Sequence, residues 1–429
     1  MAHRTSNRPP DPGLDDDSLL EAVQRQTFRF FRDGAHPQNG CARDRHKTAG
    51  EPPGDLVAVG GTGFGLMALV AGTARGWLAR EEWLDRLSRI LAFLERADRF
   101  HGAYPHFLHG ATARTVPLAR KDDGADLVET ALLFQGLICT REFLDAADAR
   151  EGGLRGRIDR LWDAVEWTWF VRHGSQLSWH WSPRHGWGVG LNISGWNECL
   201  IAHVLAAGSD SFPVDPAVYH DGFARGGGLR NGRAFHGIEL PLGVEFGGPL
   251  FFAHYSFCGI DPRGLGDRHC DDYWEQNVRH ARINHAHCVA NPRGYAGYGA
   301  ECWGLSASHT PRRYGVHCPV NDAGIIAPTA ALSSFPYLPR EAMQALRGFL
   351  ARPRLWGRFG FVDAFSPHRG WHARTYLAIN QGPIVAMIEN HRSGLLWNLF
   401  MRSPQAQAGL RRLGFRSPWL EPARRAAHS

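Results

Sequence analysis

Carboxylates cluster in the stretch KDDGADLVETALL, where Asp122, Asp123, Asp126 and Glu129 fall within residues 121–133. Asp126 and Glu129 are three positions apart, so a helix would place both on one face. Helix capping accounts for two of these acids, with Asp123 at the N-cap and Asp126 at the third helical position. Capping does not account for all four, and we therefore treat the group as a candidate for catalysis or for binding sugar hydroxyls.

A glutamate, Glu198, precedes the apolar stretch CLIAHVLAAG and follows Trp196. The ordinary explanation is a helix start, with Ser194 or Gly195 as the N-cap. A helix N-terminus lowers the pKa of a carboxyl group, whereas burial against Trp196 raises it. A general acid needs burial to prevail, so that it keeps its proton near neutral pH. We predict Glu198 to be such an acid, with Trp196 and Asn197 beside it as substrate contacts.

Two further acids stand among apolar or aromatic neighbours: Glu301 near Trp303 in YGAECWGLSAS, and Asp363 in FGFVDAFSP. A buried charge is costly unless it is paired or used, and an ion pair with an arginine is the structural alternative. Glycoside hydrolysis needs two carboxyl groups that flank the scissile bond. The sequence supplies several candidates, and their spacing alone does not pair them.

Aromatic residues are frequent in stretches that look like loops, among 15 Trp and 9 Tyr in the chain. Aromatic rings in loops suit a cleft that stacks sugar rings, and the alternative is that they only pin long loops. The predicted substrate contacts are Trp181, Trp196, Asn197, Trp303, Trp371, Tyr376, His180 and Tyr298.

Other chemistries have weaker signals. The His-x-His of NHAH (284–287) lacks a zinc-binding partner motif, so we expect no metal. The segment GGTGFG (60–65) lacks the lysine and the βαβ frame of a phosphate loop, and its glycines are better explained by close helix packing. We expect no cofactor. With 48 basic and 42 acidic residues, and neither a basic stripe nor an apolar run of membrane length, we expect neither nucleic acid nor membrane as a partner.

The elements that must position these residues are mostly helices. Periodicity predicts helical segments at 18–31, 63–76, 80–99, 126–146, 154–171, 195–208, 271–290, 322–335, 339–351 and 376–401. Fully apolar and amphipathic segments occur among them, as an inner ring and an outer ring would require. We predict an all-α (α/α)₆ toroid with short β pieces in the loops over the cleft; an irregular helical array is the alternative.

The boundaries follow from composition. We predict one catalytic domain over 18–416, a disordered lead over 1–17 and a basic tail over 417–429. The eight scattered cysteines are expected to be free thiols. As the sequence stands, the N-terminus has no apolar signal region, so we expect a cytoplasmic location, with the periplasm as the alternative for a trimmed chain. The oligomeric state stays open.

Taken together, these stretches resemble the bacterial glucoamylase-like family that includes the endo-β-1,2-glucanases, and are similar to the corresponding domain of cyclic β-1,2-glucan synthases. The resemblance extends over about residues 27–415. It is carried by VGGTGFG (59–65), KDDGADLVET (121–130), WHWSP (179–183), GWNECL (195–200), FFAHYSFCGIDPR (251–263), YWEQN (273–277), NPRGYAGYGAECWGLSAS (291–308), PTAALSSFPY (328–337), WGRFGFVDAFSP (356–367) and AINQGPIVAMIENHRSGLLW (378–397).

The resemblance implies an (α/α)₆ barrel with a pocket for β-1,2-linked glucose. It implies that Glu198, Asp122 and Asp126 lie at the chemistry, with Asp363 as a further candidate. Glucanases of this type are thought to invert the anomeric centre, whereas the synthase domains transfer glucan with retention. Glu301 departs from the family pattern, so its role stays open, and the basic segment 309–319 leaves substrate charge and chain length open.

We therefore expect a glycoside hydrolase that cleaves β-1,2-glucan internally to sophoro-oligosaccharides by an inverting, two-carboxylate mechanism. The alternatives are a transglycosylase, an exo-acting β-glucosidase-type enzyme on β-linked glucans, and a non-catalytic glucan-binding module.

Overall fold

The computed structural model describes residues 7–49 and 54–421 of the 429-residue chain. Residues 1–6 of the predicted lead and 422–429 of the predicted tail lie outside the described residues. Within the described ranges the α-helices are α1 (Asp16–Arg32), α2 (Val59–Ala74), α3 (Arg80–Arg96), α4 (Leu127–Phe143), α5 (Ala149–Asp163), α6 (Leu200–Gly208), α7 (Tyr273–Ala290), α8 (Pro328–Leu332), α9 (Pro339–Leu350), α10 (Ala378–Ser393), α11 (Leu395–Arg402) and α12 (Pro404–Arg412).

The helices fall into two kinds. Nearly every side chain of α2, α4 and α6 is buried, whereas α1, α3 and α9 each bury one face. Helix α2 packs against α4 and α10, α6 packs against α4 and α12, and α1 covers α10. The predicted mainly helical fold is confirmed, and its closure into two concentric rings stays a prediction.

Several predicted helices have other limits in the structure. The segment 322–335 forms only the five-residue α8. The segment 376–401 divides at Gly394, whose left-handed backbone (φ 69°) ends α10 and precedes α11. The predicted helix 154–171 ends at Asp163 as α5, and helix α12 was not predicted. Helix α1 begins at Asp16, two residues inside the predicted lead.

Helices α2 and α4 approach each other backbone to backbone. A Cβ atom at Gly63 would lie 2.1 Å from the carbonyl oxygen of Leu132, and one at Gly136 would lie 2.0 Å from the carbonyl oxygen of Gly63. Real Cβ atoms do not approach so closely, so any side chain here would force the helices apart. Gly63 of GGTGFG therefore serves close helix packing, as predicted.

The strands are short and form small antiparallel sheets in the loops. They are β1 (Arg45–Lys47), β2 (Leu56–Ala58), β3 (Phe107–His109), β4 (Thr115–Val116), β5 (Ala125–Asp126), β6 (Val171–Arg172), β7 (Gln176–Leu177), β8 (His180–Trp181), β9 (Ala234–Phe235), β10 (Ile238–Glu239), β11 (Ala307–His309), β12 (Tyr314–Val316), β13 (Trp356–Gly357), β14 (Gly360–Phe361), β15 (Phe365–Ser366), β16 (Trp371–His372) and β17 (Thr375–Leu377). Three pairs position the site: β5 with β8, β11 with β12, and β1 with β17.

A continuous hydrophobic core extends from Leu19 to Phe415 and includes most of the large aromatic side chains. All eight cysteines are buried and unpaired, which confirms the predicted free thiols. Among the described helices, none combines the length and the hydropathy that a bilayer span requires.

Candidate active site

The site lies around a cavity of about 380 Å³, which we call the main cavity. Its walls combine carboxylates, Glu129 and Glu198 among them, with large apolar side chains. The aromatic and polar lining residues are Asp44, Arg45, His106, Phe107, Glu129, Trp179, Glu198, Phe251, Tyr255 and Tyr314. A cavity of this composition can stack a sugar ring on apolar surface while it presents acids to the oxygens of a glycosidic bond.

Glu198 stands in the turn immediately before α6 and lines the main cavity. Its backbone carbonyl accepts a hydrogen bond from the Ser256 hydroxyl, whose oxygen accepts in turn from the Ile201 N–H at 3.0 Å. Asn197 Oδ1 accepts from the Cys199 N–H at 3.0 Å, so Asn197 shapes this turn. Because α6 begins at Leu200, neither predicted N-cap, Ser194 or Gly195, is the helix cap.

The carboxyl group of Glu198 is electrostatically suited to hold a proton. Burial raises the pKa of Glu198 from its ordinary 4.5 to about 7, and the negative charges of Asp126 and Glu129 add to the effect. No arginine, lysine or histidine in the described part of the chain forms an ion pair with it. Trp196 does not line the main cavity: it is buried in the core, where its ring packs 5.5 Å from that of Tyr273.

Asp126 is fully buried and is itself the N-cap of α4, rather than the third helical residue after a cap at Asp123. Its Oδ1 accepts from the N–H groups of Val128 and Glu129, each at 3.0 Å. Its Oδ2 lies 2.9 Å from Nδ1 of His106. Burial opposes ionisation, but these histidine hydrogen bonds outweigh it and hold the pKa of Asp126 well below its usual range. Asp126 is therefore a fixed anion that orients its neighbours.

Two histidines bridge the acids of this segment. In the β5–β8 pair Asp126 is directly opposite His180, whose Nε2 lies 3.4 Å from Asp126 Oδ2 and 3.5 Å from Asp122 Oδ2. Burial disfavours the imidazolium of His106, but the charges of Glu129 and Asp126 outweigh it and raise the pKa of His106 to about 10. His106 is thus a cation within the acidic cluster, which keeps the carboxylates together.

Asp122 is also buried, and its Oδ1 has no hydrogen-bond partner within the described chain. Burial raises its pKa, while the neighbouring His180 acts in the opposite direction. Oxygen and nitrogen atoms of His106, Asp122 and Asp126 lie within 4.8 Å of one another, a spacing that could hold a metal ion. In the structure His106 and Asp126 are hydrogen-bonded to each other, at 2.9 Å between Nδ1 and Oδ2, whereas Asp122 faces His180.

Glu129 is the acid of this segment that lines the main cavity, and it was not among our predicted catalytic residues. Its Oε2 accepts from the Gly60 N–H at 2.7 Å, and its Oε1 lies 4.0 Å from His106 Nε2. A Cβ atom at Gly60 would lie 2.6 Å from this Oε2, so a side chain there would displace the carboxylate. Burial raises the pKa of Glu129, and the His106 cation and the Gly60 N–H act against that rise.

The signal for Glu129 was present in the sequence. It stands three residues after Asp126, on the same helical face, and it belongs to the group of four acids that capping does not fully account for, although we did not single it out as catalytic. Capping explains Asp126 alone.

Asp363 is only 2% exposed and does not line the main cavity. Its Oδ2 accepts from the backbone N–H and from Nδ1 of His309, at 2.7 and 2.8 Å. Its Oδ1 accepts from the amide of Asn380 at 2.7 Å. With these bonds Asp363 positions His309 and is paired with a histidine, not with the arginine that was the structural alternative.

Three predicted contact or catalytic residues lie away from the main cavity. Trp303 is fully buried and donates its indole N–H to the Glu341 carbonyl at 3.2 Å. Tyr376 is 1% exposed and packs against the ring of Phe359. Glu301 is exposed on the surface and does not line the cavity. None of the three lines the main cavity, because an aromatic or acidic neighbour in sequence does not fix which face a loop presents.

The remaining predicted contacts also do not line the main cavity. Trp181 follows His180 and packs edge-on against the ring of His101. The Tyr298 hydroxyl donates to Asp322 at 2.8 Å. Trp371 lines a second, neighbouring cavity. The apolar rings that line the main cavity itself, including Trp179 and Tyr314, were not among the predicted contacts.

Comparisons with known proteins show which family the chain resembles. The Glycoamylase family model, which describes glucoamylases, matches residues 190–404. An endo-β-1,2-glucanase from Chitinophaga pinensis, solved as a complex with sophorotriose and glucose, is 47% identical, with a TM-score of 0.93 over 95% of this chain and 100% of that chain. An endo-β-1,2-glucanase from Talaromyces funiculosus, solved with sophorose, is only 10% identical at a TM-score of 0.66, over 90% of this chain and 86% of that one, a likeness of fold alone.

A curated relative from Parabacteroides distasonis is named an exo β-1,2-glucooligosaccharide sophorohydrolase (non-reducing end). It is 41% identical over 426 residues, which cover 93% of this chain and 58% of the relative. The chain thus spans somewhat more than half the length of that protein.

Proposed function

Because this chain belongs to the glucoamylase-like family, we propose that it is a glycoside hydrolase that cleaves β-1,2-glucan. One observation supports the chemistry above all others. Glu198, with its pKa raised to about 7, lines the same cavity as Glu129, and no cation in the described chain neutralises it. Two carboxyl groups with different surroundings are what acid-assisted hydrolysis of a glycoside requires.

Glu198 acts as the general acid. Its proton moves to the glycosidic oxygen as the bond to the anomeric carbon breaks, so that the leaving sugar departs as a neutral alcohol. Two carboxylates in one cavity repel each other, so the ionisation of both groups is unfavourable. Glu198 is the group that retains its proton.

Glu129 acts as the opposing carboxylate. The Gly60 N–H and the His106 cation both favour its charged form, whereas Glu198 has no such neighbour. Glu129 takes the proton of the water that attacks the anomeric carbon. Asp126 holds His106 in place, and His180 lies between Asp126 and Asp122, so these residues orient the base instead of contacting the sugar. This assignment replaces Asp122, Asp126 and Asp363 as candidate bases.

The cleavage is internal and inverts the anomeric centre. A second open cavity adjoins the main cavity along β17, which leaves room for a glucan that extends beyond the cleaved bond. A water molecule between the acid and the base gives inversion. The scaffold that supports this cleft is an (α/α)₆ toroid within residues 18–416.

A second candidate function is the release of sophorose from the chain end. It is favoured by the 41% identity to the Parabacteroides distasonis sophorohydrolase. The two functions differ in their products: internal cleavage gives a ladder of oligosaccharides early in the reaction, and end-directed cleavage gives sophorose from the first turnover.

The test is incubation with linear β-1,2-glucan, followed by chromatography of early products and by NMR of the newly formed anomer. We expect a ladder of sophoro-oligosaccharides that begins as the α-anomer. Sophorose alone would select the exo function, a β-anomer would refute inversion, and absence of cleavage would refute the substrate. Glu198→Gln is the negative control, since its amide cannot supply the proton.

A further inference from the structure

A second cavity, of about 580 Å³, adjoins the main cavity, and we call it the arginine cavity. Its principal side chains are those of Arg354, Arg374, His309, Trp371 and His372. No carboxylate lines it, although Asp44, Glu129 and Glu198 line the main cavity beside it. The arginine cavity therefore differs in charge from the main cavity, because it has arginines and no carboxylate, whereas the main cavity has carboxylates together with Arg45 and His106.

The two arginines of the arginine cavity are not neutralised by the described part of the chain, whereas His309 is paired with Asp363. Arg354 and Arg374 are both exposed, and neither forms an ion pair with any carboxylate in the described part of the chain. They act together on one neighbour: burial lowers the pKa of His372, and the positive charges of Arg354 and Arg374 lower it further. Positive charges that lie close together without a counter-ion repel each other, and a bound anion would offset that repulsion.

The two cavities are joined by shared strands. On β17, Thr375 lines the arginine cavity and Leu377, two residues on, lines the main cavity. Two residues of a strand span about 7 Å, which is close to the length of one glucose unit. The β11–β12 hairpin repeats the arrangement, since His309 lines the arginine cavity, Tyr314 lines the main cavity, and their rings are 5.7 Å apart. Both cavities are thus bordered by β17 and by the β11–β12 hairpin, which places the arginine cavity next to the cavity that Glu198 lines.

The composition of the cavity specifies the ligand further. Trp371 is partly exposed and offers a flat apolar ring, on which a sugar unit can stack. A neutral glucan would use this ring but not the two guanidinium groups. Guanidinium groups bind carboxylate and phosphate oxygens through paired N–H donors.

We propose that the arginine cavity binds an anionic substituent, a carboxylate or a phosphate ester, on a glucose unit next to the cleaved bond. The inference rests on the proposed function and deepens it: the preferred substrate is an acidic, substituted β-1,2-glucan. The Trp371 ring holds the sugar, and Arg354 with Arg374 holds the substituent.

The test compares kcat/KM for three linear β-1,2-gluco-oligosaccharides of equal length: unsubstituted, succinylated (a carboxylate) and glycerophosphorylated (a phosphodiester). We expect the wild type to prefer at least one anionic substrate about five- to tenfold at low salt, because partly exposed charge pairs contribute modestly. The preference falls as salt rises. The two anionic arms decide between carboxylate and phosphate.

The variant Arg354→Gln/Arg374→Gln should lose this preference and keep its kcat/KM for the neutral substrate. A matched control is Arg312→Gln/Arg313→Gln, which removes the same charge from an exposed turn that lines neither cavity. Equal wild-type rates on all three substrates would overturn the proposal, as would a preference that survives in the Arg354/Arg374 variant or disappears in the control.

Binding separates this proposal from the proposed function. Calorimetry with Glu198→Gln measures affinity for the same three oligosaccharides without turnover. If the wild type cleaves none of them, the hydrolase proposal fails. The anion-binding proposal would still be supported if the anionic forms bind about five- to tenfold more tightly and if this difference requires Arg354 and Arg374. Equal affinity for neutral and anionic forms would overturn it.

Discussion

Replacement of Glu198 by glutamine should stabilise the protein while it abolishes catalysis, and the stabilisation should depend on pH. The carboxyl group of Glu198 has a pKa of about 7 in the folded chain and an ordinary value of 4.5 when it is free in water. Below pH 4.5 both states hold the proton, so the group contributes no difference. Between these two values the unfolded chain releases the proton and the folded chain retains it, so stability falls as pH rises.

The size of the effect follows from the two pKa values. At about 1.4 kcal/mol per pH unit, the separation amounts to about 3 kcal/mol above pH 7, as an upper value for a group that is partly open to the cavity. Glutamine does not titrate, so Glu198→Gln should gain about 2–3 kcal/mol over the wild type between pH 4 and pH 8. The same variant should lose about 10²–10⁴-fold in kcat, the usual contribution of a general acid.

The assay is equilibrium unfolding in urea at several pH values, followed by tryptophan fluorescence and by circular dichroism to check that the two transitions coincide. Glu301→Gln is the control, because it makes the same chemical change at an exposed site outside the cavity. A difference between Glu198→Gln and wild type that stays constant from pH 4 to pH 8 would refute the assignment. So would a wild-type kcat that does not decline above about pH 7, where Glu198 loses its proton.

Three further outcomes follow from the geometry. Glu129→Gln should lower kcat at least about 10²-fold and leave oligosaccharide affinity within a few-fold in calorimetry; a change in affinity alone would contradict its role as base. Gly63→Ala should reduce the free energy of unfolding by about 1–3 kcal/mol in urea titrations, because its Cβ meets a backbone carbonyl at 2.1 Å, whereas Gly153→Ala, with open space around it in α5, should not destabilise. Trp303→Ala should cost about 3–5 kcal/mol of stability and leave KM unchanged, and a raised KM would return Trp303 to the cleft.

Helix periodicity predicted most of the scaffold because helix formation and burial are largely local properties. The amphipathic pattern of α1 and the apolar run of α2 translate directly into one buried face and full burial. The division at Gly394 was harder to predict, because many glycines are tolerated within helices and only the surrounding packing selects the left-handed conformation.

The site was predictable where the chemistry depends on one residue and its immediate neighbours. Glu198 is the example, since its apolar surroundings in sequence already indicated burial. Prediction was poorer where the answer depends on contacts between distant segments. Asp363 meets His309, and Glu129 meets Gly60, across separations that no local pattern encodes. The burial of Trp303 and Tyr376 could not be predicted for the same reason, because it is set by partners elsewhere in the chain.

Gly60 has no side chain and contacts the Glu129 carboxylate through its backbone N–H, so its role could not be found from sugar contacts alone. Random mutagenesis scored by loss of glucan turnover should recover replacements of Gly60, because even a methyl group would occupy the place of the Glu129 carboxylate. Engineering of new substrate specificity in this scaffold should therefore vary residues at the rim of the cleft and leave the N-terminus of α2 unchanged.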